Sequence, residues 1–130
     1  MKKITMKQYM SSAALGLPLV LLLAGCNRTP TVSFARDVQP IIKKHCVECH
    51  LQGGKGFLAS GFLVESYASV MKGTKFGPVI VPGDPLSSSL YRLVAGEVDK
   101  SIQMPHGKDP IPANQIATIE NWIAQGAKNN

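Results

Sequence analysis

Cysteine is scarce in this chain of 130 residues: three in all, at positions 26, 46 and 49. A small exported domain often relies on several disulfides, and the assignments below leave no pair free for one. No basic run is longer than Lys43-Lys44 and no recognition motif accompanies it, which excludes a nucleic-acid-binding domain. There is no internal repeat and no low-complexity tract. No paired carboxylates stand in a motif and no nucleophile stands beside a base, so the chain is not expected to be an enzyme.

What is present begins with a leader. Met1-Lys2-Lys3 and Lys7 form a positive start, and Ala13 to Ala24 is apolar, interrupted only by Gly16 and Pro18. That run is too short to cross a bilayer on its own and has the form of an export signal. Leu23-Ala24-Gly25-Cys26 resembles a lipobox, in which the Cys26 thiol takes a diacylglyceryl group. The alternative is an ordinary signal peptide with an incidental cysteine. Several acyl chains hold an amino terminus firmly where one binds only marginally. The expectation is a signal peptide over 1–25, a tether over 26–33 and one small domain over 34–130, anchored to a membrane and facing the periplasm of a bacterial cell envelope. Asn27 after the lipid cysteine leans toward the outer membrane. Lys2, Lys3 and Lys7 also supply half of the formal net charge of +6, so the basic balance is partly a property of the leader.

Cys46-Val47-Glu48-Cys49-His50 is the attachment signature of a c-type haem. One helical turn sets the two thiols side by side, where they can bond one haem edge, and puts the His50 imidazole in reach of iron. A covalent haem would also supply core to a domain this small. Two rivals have structural requirements. A thioredoxin-type pair needs a strand before the motif and a βαβ setting; a zinc site needs a fourth ligand.

The periodicity is helical. Phe34, Val38, Ile41, Ile42 and His45 recur at spacings of three and four, with Asp37 as the expected cap of a turn starting at Val38 and Pro40 in the first turn. Gly53, Gly54 and Gly56 read as a flexible loop. A short helix is expected over Ser66 to Met71, stopped by Gly73. Val79 to Val81 is at most a small strand. Asp84-Pro85 opens a helix through Leu86, Leu90, Leu93 and Val94 to Gly96. Residues 97–111 read as loop, and a last helix runs from about Ala113 to Gln125, with Gly126 as its stop.

Taken together, Phe34…Asp37-Val38-Gln39-Pro40-Ile41-Ile42, the Cys-x-x-Cys-His string, Val81-Pro82-Gly83-Asp84-Pro85…Ser89-Leu90, Met104-Pro105 and Trp122-Ile123…Gly126-Ala127 resemble the planctomycete-type cytochrome c domain, a branch of the class I monohaem cytochromes c. Pro112, where relatives often place a serine or threonine cap, is a departure. The resemblance implies a small all-α cytochrome c-like fold, with first and last helices packed together around one covalent haem c. It implies His50 as proximal ligand, Met104 as distal ligand and electron transfer with redox partner proteins. Met104 lies 54 residues beyond His50 with Pro105 stiffening its backbone; its other reading is core filling. His106 is the competing ligand. Leu63, Leu90, Leu93 and Trp122 are expected around the ring. Lys43, Lys44 and Lys55 flank the motif and could attract acidic partners; Tyr91 and Arg92 could bond a propionate. The alternatives are a gas- or peroxide-reactive haem with an open distal site, and a haem-bearing docking subunit of a larger complex.

Overall fold

Ser33 starts the first helical stretch. Its Oγ accepts the Arg36 N–H at 3.2 Å, and its own N–H donates to Asp37 Oδ2 at 2.8 Å. This reciprocal cap satisfies two amides that a helix start leaves unpaired. The computed structural model describes residues 29–130, so the leader and Cys26 lie outside the described residues. Asp37 therefore closes a cap from inside the helix, and the helix begins at Phe34, where the periodicity starts and four residues earlier than an Asp37 cap would place it, as a π turn over Phe34–Val38. Pro40 accounts for the difference. In a continuous α-helix its ring would press on the Arg36 carbonyl and its missing N–H would leave that carbonyl unpaired. The wider turn, in which the Val38 N–H reaches Ser33 O at 3.2 Å, absorbs the misfit. Helix α1 (Gln39–His45) follows with Pro40 in its first turn, and α2 (Val47–His50) is a single turn.

The stretch read as a flexible glycine loop contains helix α3 (Lys55–Ser60), with Gly56 inside it. One glycine costs a helix only about 0.5–1 kcal/mol relative to alanine. Here Leu58 N–H donates to Gly54 O at 2.9 Å and Ser60 Oγ donates to Gly56 O at 2.6 Å. Helix α4 (Tyr67–Lys72) is capped by Ser66 and ends at Gly73, as the sequence indicates. Helix α5 (Ser89–Ala95) starts later than Asp84-Pro85 suggests. Asp84 Oδ1 does accept the Ser87 N–H at 3.0 Å. The turn then stops because the fully buried Ser88 hydroxyl donates to Asp84 O at 2.7 Å and accepts the Val81 N–H at 2.8 Å. Those side-chain bonds compete with helix continuation.

Helix α6 (Ala113–Ala124) begins directly after Pro112, which stands at its N-cap. It closes with Gly126 N–H on Ile123 O at 2.9 Å and Ala127 N–H on Trp122 O at 2.8 Å, the paired bonds of a Schellman ending. Among the described residues there is no strand; Val81 makes only an isolated bridge with Asp84. The architecture is all-α.

The two ends of the domain meet around three rings. Phe34 lies 5.2 Å from Tyr67 and 5.4 Å from Trp122 by centroid. Tyr67 Oη donates to Ala127 O at 2.8 Å and Trp122 Nε1 to Lys128 O at 2.9 Å, so each polar tip is satisfied inside an apolar cluster. Another part of the core, formed by Ile42, Val64, Val79, Val94, Ile111 and Ile119, walls a chamber beside that clamp. Among the described residues no helix is long and apolar enough to cross a membrane.

Candidate functional site

Helix α2 is a single turn and carries the attachment string. Cys46 closes α1 through its N–H on Ile42 O at 2.9 Å, and its carbonyl accepts the Cys49 and His50 amides at 3.2 and 3.0 Å. The turn brings both thiols and the imidazole to one chamber of about 770 Å³. That volume falls in the range of about 300–1,000 Å³ usual for small-molecule and cofactor sites. From the 97–111 segment, Met104 and His106 line the same chamber. Met104 is half-buried and its N–H donates to Leu93 O at 3.0 Å, tying the loop to α5; His106 is exposed. Lys108, also on this loop, pairs with Glu48 between the two cysteines. The pair joins the loop to the attachment turn, and it holds the Glu48 carboxyl below its usual range and the Lys108 ammonium above its own.

His50 is held from two sides by Phe62. The Phe62 carbonyl lies 3.2 Å from Nδ1, and the Phe62 ring meets the imidazole edge-on with centroids 5.3 Å apart. A carbonyl only accepts, so Nδ1 carries the hydrogen and Nε2 keeps a lone pair for a metal. Burial pushes the imidazole pKa down, partly offset by the Phe62 carbonyl, and so favours the neutral form that ligation requires. Burial, together with the nearby Cys49, pushes the Cys46 thiol up to about 11. Reactive thiol pairs of the thioredoxin kind are tuned in the other direction. Among the described residues no three His, Cys, Asp or Glu side chains converge as ligands for a bare metal ion, the arrangement a structural zinc site needs.

Other residues singled out from the sequence divide. Leu90 and Leu93 line the chamber; Leu63 and Trp122 do not, because Trp122 is committed to the Phe34–Tyr67 clamp. Tyr91 and Arg92 also lie off the chamber: Tyr91 is buried in the core, and Arg92 donates to Glu97 O at 3.3 Å. Of the three lysines, Lys55 borders the chamber, while Lys43 and Lys44 stand exposed on α1. His45 is engaged with Gln115 on α6 at 2.8 Å. One residue was not legible in advance: Phe62 acts through its backbone carbonyl, which carries no side-chain signal.

The donors suit one kind of group. Two thiols, a lone-pair imidazole and a thioether open into a largely apolar chamber within an all-α domain, which is the class of small haem c proteins. Residues 46–106 match the family described as Planctomycete cytochrome C, which supports a planctomycete-type cytochrome c domain. A cytochrome c domain carries covalently attached haem c, and Cys46 and Cys49 have the spacing of its attachment motif. No curated protein and no solved structure matches the chain.

Proposed function

We propose that the chain is a membrane-anchored monohaem electron carrier whose iron is held by His50 and Met104. The observation that carries this reading is one chamber collecting Cys46, Cys49, His50 and Met104 between apolar walls. Haem c supplies a one-electron iron couple when bound. The protein's own residues do the rest. Cys46 and Cys49 hold the group by thioether bonds, and the Phe62 carbonyl fixes which nitrogen of His50 is free. The Leu93 carbonyl anchors the backbone of Met104, and the aliphatic walls exclude water. A fixed, dry surround leaves little to rearrange on electron transfer, and the polypeptide tunes the potential and offers an edge to redox partner proteins. A methionine ligand gives a higher potential than a second histidine.

The anchor rests on the leader and on Leu23-Ala24-Gly25-Cys26, with Cys26 as the lipid-bearing amino terminus and the domain facing the periplasm. Mass spectrometry of the membrane-extracted protein is expected to show diacylglyceryl-cysteine at residue 26; an unmodified terminus elsewhere refutes the anchor without touching the haem reading. His106 borders the same chamber, so the distal ligand needs its own test. Met104→Ala is expected to leave haem attached, lower the potential and admit carbon monoxide. If His106 is the ligand, Met104→Ala keeps the low-spin spectrum and His106→Ala loses it. A high-spin spectrum in the unmutated ferric protein would favour an open, gas- or peroxide-reactive site.

A further inference from the structure

We infer that Gly56 is a positioning residue for the haem iron: the absence of a side chain at this position makes the flat bed on which the His50 imidazole lies. The inference rests on His50 as an iron ligand. Gly56 is not a turn glycine. It sits in α3 and is absent from the residues with positive φ, so its backbone suits any amino acid. A glycine inside a helix is destabilising relative to alanine, so its presence calls for a local reason.

The reason lies in the ring. A Cβ at position 56 would stand 2.6 Å from His50 Cε1, 2.8 Å from Nε2 and 2.9 Å from Nδ1. These three near-equal distances place it over the ring face, because an approach to Cε1 within the ring plane would leave both nitrogens markedly farther away. All three are shorter than carbon atoms tolerate, so an alanine forces something to move. The α3 backbone is held by Leu58 N–H on Gly54 O at 2.9 Å and by Gly61 N–H on Phe57 O at 2.6 Å. The imidazole is held more loosely, by the longer Nδ1 to Phe62 O bond at 3.2 Å and the edge-on Phe62 ring. The ring is therefore what yields, and the Phe62 bond is what lengthens. That bond makes the imidazole a more basic ligand. Weakening it makes His50 a poorer donor, which favours reduced over oxidised iron.

The test uses the holoprotein. Gly56→Ala is expected to keep haem covalently attached, raise the reduction potential and change the g values of the ferric low-spin signal. Leu58→Ala, on the same helix and 69% exposed, is the control and should move neither. A Gly56→Ala protein with unchanged potential and g values overturns the inference. A second measurement needs no variant: the reduced wild-type holoprotein should show nuclear Overhauser contacts between the Gly56 α-protons and His50 Hε1. If the His50 ring protons are shifted upfield by the haem ring current yet show no such contact, the Gly56 inference fails alone. If they lie at ordinary positions, His50 is not the ligand and both readings fall.

Discussion

Replacing Trp122 separates what holds the domain from what tunes its chamber. Trp122 is 1% exposed and packs at 5.4 Å from Phe34 and 6.4 Å from Tyr67, yet it does not border the chamber. Truncating a buried tryptophan to alanine costs about 3–5 kcal/mol through lost burial and the cavity left behind. Its two aromatic partners, worth about 0.5–1.5 kcal/mol per pair, place this site at the upper end of that range. Small domains have about 5–15 kcal/mol in total, so Trp122→Ala should take a large share of the stability. Trp122→Phe keeps a ring and forfeits the bond to Lys128 O, a loss of about 0.5–1.5 kcal/mol. Guanidinium unfolding followed by far-UV circular dichroism reads both. In native buffer the haem spectrum and potential of Trp122→Ala should stay near wild type. A loss within about 0.5 kcal/mol of zero, as for a surface substitution, would refute the clamp. A potential shift as large as that of Met104→Ala would put Trp122 back beside the haem.

Two further outcomes concern charge. Because burial lowers the His50 pKa, the unfolded chain binds a proton there near pH 6.5 while the folded chain does so only at lower pH. Stability should therefore be full above pH 6.5 and fall as pH drops toward the folded value, by at most about 1.4 kcal/mol per pH unit. Iron ligation lowers the folded value further and keeps the sign; denaturant midpoints that rise between pH 7.5 and 5.5 would contradict this. Oxidation of the reduced protein by ferricyanide, an anionic probe, should slow with ionic strength. Lys55→Glu should slow it more than Lys43→Glu, because Lys55 borders the chamber and Lys43 does not; a flat salt response removes the lysines from docking.

What the sequence made legible was local. Cys46, Cys49 and His50 fall within one helical turn, so their shared direction follows from spacing alone, and the capped α4 and α6 stopped by Gly126 are short-range patterns of the same kind. The misjudged boundaries arise where a second interaction competes with the local signal. Asp84 caps with its carboxylate as its type suggests, but Ser88 turns its buried hydroxyl back on the Asp84 backbone carbonyl and ends the turn. Pro40 fits a first turn, but only because a π turn precedes it. Phe62 and Gly56 meet His50 from 12 and 6 residues away through a carbonyl and a missing Cβ, and neither feature has a side-chain signature. Trp122 looked available for the haem because an apolar stripe does not say which of two core regions it faces.

Acid–acetone extraction of the purified protein tests the central claim most directly. Thioether bonds from Cys46 and Cys49 should keep the colour with the polypeptide at one haem per chain, and replacing both cysteines with alanine should abolish it. Colour that passes into the solvent, or a purified chain that never carried haem, would contradict the account.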